Sequence, residues 1–147
     1  MNTATRKLEI LLVEDNPGDV RLIKEAFRDS PSVGNFQVTV DGEAAIDYLS
    51  KVGENGLNAR PDMIFLDLNL PKKNGLEVLE EIKSNPVLRS IPIVVLTTSN
   101  SEEHIYRSYN LNANCYITKP VDFNEFMNVV KVIETFWFNT ARLPSAN

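Results

Sequence analysis

Residues 61–75 read PDMIFLDLNLPKKNG, and the architecture follows from them. Pro61-Asp62 opens onto Met63-Ile64-Phe65-Leu66, an apolar run without polar alternation, as in a strand covered on both faces. The run stops at Asp67-Leu68-Asn69. Asn74 then stands three residues before Glu77, the spacing of a capping box, ahead of Val78, Leu79 and Ile82 on one helical stripe. A buried strand followed closely by an amphipathic helix is half of a right-handed crossover, which implies a parallel sheet.

The same unit recurs on either side. Leu8–Val13 and Ile93–Leu96 are near-continuously apolar, Cys115–Ile117 is a shorter run, and Phe36–Val40 alternates as an edge strand does. Between them, Asn16-Pro17 starts a helix bearing Val20, Ile23, Ala26 and Phe27, and Asp41 one bearing Ala44, Ala45, Tyr48 and Leu49. Asn100 with Glu103, and Asp122 with Glu125, repeat the capping-box spacing. The expected fold is α/β, a doubly wound five-stranded parallel sheet with five flanking helices. Residues 1–7 are an N-terminal tail, 8–140 the domain and 141–147 a C-terminal tail, with a longer loop at 50–61.

Composition narrows the function classes. The 147 residues carry 15 Lys+Arg against 20 Asp+Glu, a formal charge of -5, which disfavours non-specific nucleic-acid binding. No apolar run approaches the ~18 residues that span a bilayer, and Met1 to Lys7 lacks the apolar core of a signal peptide. The single Cys115 forms no internal disulfide and suits a reducing compartment. A soluble cytoplasmic domain is expected.

In an open doubly wound sheet, ligands bind beyond the carboxyl ends of the strands. The first strand ends in Glu14-Asp15, the third in Asp67-Leu68-Asn69, the fourth in Thr97-Thr98-Ser99 and the fifth in Thr118-Lys119-Pro120. Singly, each has an ordinary reading as a cap, a turn or a solvated loop. Together they bring three carboxylates, a hydroxyl and an ammonium to one rim. Clustered acids either raise their pKa values or take a cation, and Mg2+ suits a few oxygen ligands. Asp67 is then placed as the nucleophile of an in-line phosphoryl transfer, with Lys119 and Thr97 on the phosphoryl oxygens.

The segments ILLVEDNPGD, PDMIFLDLNLPKKNG, IPIVVLTTS and NCYITKP together resemble the response-regulator receiver domains of two-component signalling. That resemblance implies the flavodoxin-like strand order 2-1-3-4-5. It also implies a phosphoacceptor at Asp67, metal ligation by Glu14, Asp15, Asp67 and the Asn69 carbonyl, and a cis Lys119-Pro120 bond. Thr97 and Tyr116 become a coupled switch acting on the face of helix 4, strand 5 and helix 5, and Gly75 a turn glycine. Asn69, Thr98 and Ser99 flank the pocket and tune dephosphorylation, Thr98 departing from the small residue common in the family. The string through ETFW is similar to single-domain regulators associated with phytochromes, which implies a sensor histidine kinase as donor and a downstream protein or phosphotransfer partner. Such a protein is a signalling phosphoacceptor, not a turnover enzyme.

On the final helix, Phe126, Val129, Val130, Ile133 and Trp137 share a stripe, while Met127, Val132 and Phe138 widen the apolar arc. Phe136-Trp137-Phe138 is accordingly expected at a partner surface, with a homodimer favoured. His104, the only histidine, is expected on a solvated turn, and Lys72 and Lys73 as solvated loop charges. The rivals are a phosphorelay shuttle, a flavodoxin-like cofactor carrier and an aspartate-nucleophile phosphatase. The carrier lacks its Ser/Thr/Gly loop after the first strand, and the phosphatase its DxDxT pattern.

Overall fold

The computed structural model describes residues 7–53 and 57–144. Five strands, β1 (Leu8–Val13), β2 (Val33–Thr39), β3 (Met63–Leu66), β4 (Ile93–Thr97) and β5 (Cys115–Thr118), alternate with five helices. The helices are α1 (Pro17–Phe27), α2 (Gly42–Ser50), α3 (Gly75–Lys83), α4 (Glu102–Asn110) and α5 (Phe123–Ile133), and a π-helical turn, Glu134–Phe138, continues α5. All strand pairs are parallel, in the order β2-β1-β3-β4-β5. The expected fold is therefore the observed one. The edge strand β2 begins three residues before the expected Phe36, at Val33.

The unbroken apolar runs serve two cores. Leu11, Val13, Ile64, Leu66, Ile93 and Val95 face α2 and α3, while Ile10, Leu12, Met63, Phe65, Val94 and Leu96 face α1 and α5. Successive side chains point to opposite faces, so the central strands β3 and β4 lack a solvent side and carry no polar residue before their ends. The break from apolar to polar at Glu14, Asp67 and Thr97 marks the rim.

Helix starts follow side-chain caps. Asn16, Asp41 and Asp122 each accept a backbone N–H of the first turn, and Asn74 and Glu77 form the full reciprocal box. Helix α4 departs from expectation. Its cap is Ser101, whose hydroxyl accepts the His104 N–H, not Asn100. The Ser99 hydroxyl takes the Ser101 N–H at 3.3 Å, a local turn that delays the helix by one residue.

The C-terminal stretch also corrects the sequence reading. Phe126, Val130 and Ile133 are buried and Val129 and Trp137 pack beside them, as the 100° stripe requires. Phe138 was placed off that stripe, yet its ring lies 5.6 Å from Phe27. The π-helical turn changes the rotation per residue after Glu134 and swings Phe138 inward. Of Phe136-Trp137-Phe138, only Phe136 stands outward, 51% exposed. Of the expected tails, Leu143 packs against the core, and residues 1–6 and 145–147 lie outside the described residues. Lys72 is an exposed loop charge and Lys73 a partly exposed one, and they pair with Asp41, at 3.7 Å, and with Glu81.

Candidate functional site

β1 and β3 are neighbours, paired through Val13 and Leu66, so the residues that follow them must emerge side by side. Glu14 and Asp67 are buried and Asp15 is exposed, and one carboxylate oxygen from each lies within 4.8 Å of the others. The Asp67 N–H is fixed on the Val13 carbonyl at 3.0 Å, and the exposed Asn69 donates its N–H to Asp67 Oδ1 at 3.3 Å. Gly75 makes this loop possible, because a Cβ there would collide with the Asp67 carbonyl and Leu68 Cα. Its role as a turn glycine is one of close approach.

Lys119 enters from the end of β5, with its N–H on the Thr97 carbonyl at 2.6 Å. Its ammonium bonds Glu14, bonds Asp19 Oδ2 at 3.0 Å and lies 3.7 Å from Asp67 Oδ2. No peptide bond among the described residues is cis, so Lys119-Pro120 is trans, contrary to expectation. The trans form is intrinsically favoured by about 0.5–1 kcal/mol, and from it Lys119 already reaches all three acids. Asp19 is a site residue that the sequence reading missed. The signal was its place as an acidic residue in the first turn of α1, the helix that starts directly after Glu14-Asp15.

The electrostatics are those of a crowded, partly buried acid cluster. Burial, with Asp67 nearby, pushes Glu14 from 4.5 up to about 7 against the opposing pull of Lys119 and the Asn16 N–H. Burial alone would lower Lys119. Its bond to Glu14, the charges of Asp67 and Glu14 and its bond to Asp19 outweigh that and hold the ammonium above its ordinary value. One cation faces several acids, so the site accommodates a further positive charge. An all-oxygen donor set with one exposed member fits a hard divalent ion that keeps waters.

Thr97 is fully buried at the end of β4, and Thr98 beside it is exposed. A cleft of about 220 Å³, lined by Asp19, Leu22, Thr98, Lys119, Pro120 and Phe126 among others, opens next to Lys119. Ser99 is half-buried. Its carbonyl accepts the Tyr116 hydroxyl at 2.8 Å, and the Tyr116 N–H donates to the Tyr109 hydroxyl at 3.1 Å. His104 is not solvated as expected. Its Nδ1 lies 2.7 Å from Ser99 Oγ, a contact hidden from a reading of residues one at a time.

The family model of the response regulator receiver domain matches residues 10–131. The chain is a response-regulator receiver domain. Response regulator Rcp1 of Synechocystis is 47% identical over 137 residues, covering 93% of each chain. The crystal structure of the phosphorylated cyanobacterial phytochrome response regulator RcpA is 51% identical, covers 95% of this chain and 100% of that one, and superposes with a TM-score of 0.89. The Mn2+-bound form of Rcp1 is 46% identical, with a TM-score of 0.88 over 94% of this chain and 99% of that one. Receiver domains bind a divalent metal at the acidic pocket, and the Glu14-Asp15-Asp67 cluster of this receiver has the composition to do so. No helix among the described residues is long and apolar enough to cross a membrane.

Proposed function

We propose that this receiver takes a phosphoryl group on Asp67 from a phosphohistidine of a sensor histidine kinase, in a Mg2+-dependent reaction. The observation that carries this is Asp67 at the end of β3 with its carboxylate beside Glu14, Asp15 and Lys119. An Asp67 oxygen attacks phosphorus in line with the donor imidazole. The new P–O bond forms as the P–N bond breaks, and the imidazole leaves with its electron pair and takes a proton from solvent. Glu14, Asp15 and Asp67, with the Asn69 carbonyl, are the ligands assigned to Mg2+, which supplies charge neutralisation for the phosphoryl oxygens. Lys119 releases Glu14 to pair with one of those oxygens, and Thr97 donates its hydroxyl to another.

Phosphorylation adds roughly -1.5 to -2 charges to a rim already rich in acids. The response assigned to it is a coupled shift of Thr97 and Tyr116 that biases the face of α4, β5 and α5 toward a downstream protein or phosphotransfer partner. Thr98, Asn69 and Ser99 flank the pocket and tune the lifetime of the phosphoaspartate. The likeness to RcpA, a phytochrome response regulator, supports a phytochrome-type kinase as donor, and the setting assigned to the protein is the cytoplasm. Exposed Tyr106 and Tyr109 on α4, and Val132 and Phe136 at the C-terminal end, support self-association as a homodimer. The protein's own chemistry is its phosphorylation and dephosphorylation, without turnover of a separate substrate.

The test is incubation with Mg2+ and acetyl phosphate, followed by mass spectrometry. Wild type gains one phosphate and Asp67→Asn gains none. A wild-type chain that stays unmodified, or an Asp67→Asn chain that gains the same phosphate, overturns the assignment.

A further inference from the structure

Ser99 is the joint between the pocket and the α4–β5 face. Its N–H lies 3.5 Å from Thr97 Oγ1, its carbonyl holds the Tyr116 hydroxyl at 2.8 Å, and Thr118 Oγ1 approaches the same carbonyl at 3.5 Å. Its side chain is committed elsewhere. Ser99 Oγ accepts the Ser101 N–H and shares a short hydrogen bond, 2.7 Å, with His104 Nδ1. His104 is half-buried in the first turn of α4, where Glu102, Glu103, Tyr106 and Arg107 around it are exposed. An imidazole turned inward on such a helix exchanges solvation for one short bond, so that bond is where its contribution lies.

We propose that His104 is a positioning residue of the switch: through Nδ1 it commits the Ser99 hydroxyl to α4 and so fixes the Ser99 carbonyl to which Tyr116 donates. The consequence for the phosphoaspartate rests on the reading of Asp67 above. A Ser99 hydroxyl released from His104 is a mobile polar group beside the pocket, able to orient water toward phosphorus.

The test uses His104→Phe, which keeps the ring and loses the bond, and His104→Asn, whose amide reproduces the position of Nδ1. Each is read by NMR of the Tyr116 ring in unphosphorylated protein and by the decay of the phosphorylated form after acetyl phosphate is removed. His104→Phe is expected to shift the Tyr116 resonances and to hasten decay by about two- to tenfold, the range expected for loss of one hydrogen bond. His104→Asn is expected to match wild type in both. In a Ser99→Ala background, His104→Phe should change nothing further. Ser99→Ala alone breaks the bond from the other side and should itself shift Tyr116, which covers the case of a poorly folded His104→Phe. Unshifted Tyr116 resonances in both single variants, or a His104→Phe effect that persists without the Ser99 hydroxyl, overturn the proposal. A chain that takes no phosphate refutes the role of Asp67, while the Tyr116 arm still decides that of His104.

Discussion

Helices α3 and α4 are both nine residues long, lie near each other in the fold and follow strands of similar apolarity, yet they are attached in different ways. α3 buries Gly75, Leu76, Val78, Leu79 and Ile82, and is locked at its start by a two-way capping box. α4 buries only Ser108, and its other ties are polar: His104 to Ser99, and Tyr109 to the Tyr116 N–H. Dispersion and burial are short-ranged but numerous, so α3 moves only if the core is disrupted. Hydrogen bonds to one loop and one strand are few and replaceable by water, so α4 can shift at small cost. The helix after the acceptor loop is a fixed wall, and the helix after the Thr97 loop is the part suited to carry a signal.

The widest separation between the two should come from truncation. Leu79→Ala in α3 is expected to lower unfolding free energy by about 2–5 kcal/mol, measured by urea denaturation. A loss below about 1 kcal/mol would mean that α3 is not the anchor.

The rim from which both helices depart gives the next effect. The unfolded chain sheds the Glu14 proton near 4.5 and the folded protein near 7, so the folded state binds this proton more tightly. Its contribution to stability is complete below about 4.5 and declines as pH rises to about 7. Denaturation of metal-free protein across that window should show the decline, Glu14→Gln should flatten it, and Mg2+ at neutral pH should restore stability to wild type. A wild-type profile parallel to that of Glu14→Gln contradicts the assignment.

Capping sharpens the contrast at smaller scale. Asn74→Ala is expected to cost about 1 kcal/mol of global stability. Ser101→Ala should leave the global transition nearly unchanged and instead speed hydrogen exchange within α4. Smallest of all, Tyr106→Ala on the open face of α4, where the ring is 71% exposed, should shift stability by less than about 0.5 kcal/mol. If the homodimer forms there, analytical ultracentrifugation of Tyr106→Ala will show weakened association against that unchanged fold.

The legible parts share one feature: they were written in consecutive residues. Runs such as Met63–Leu66 disclose strands with two buried faces, and the polar residue ending each run discloses the rim, so Glu14, Asp15, Asp67, Thr97 and Lys119 were found together. Asn16, Asp41, Asn74 and Asp122 announced their helices because a cap acts within three residues of itself. Asp19 was missed because it lies inside α1, beyond the strand end that marks the rim, and His104 because its bond depends on how the loop before α4 folds back. Phe138 was misplaced because a 3.6-residue period was carried through a turn that does not obey it.

Local pattern therefore determined the elements, their order and the chemical character of the rim, since strand burial, helix periodicity and capping act between near neighbours in the chain. Tertiary structure alone decided which charge Lys119 meets, which aromatic rings turn inward at the C-terminal end, and that a lone histidine grips the loop under Tyr116. Those outcomes depend on distances between segments far apart in sequence. Such distances are set by the summed packing of the whole sheet and its helices, which no single stretch of residues encodes.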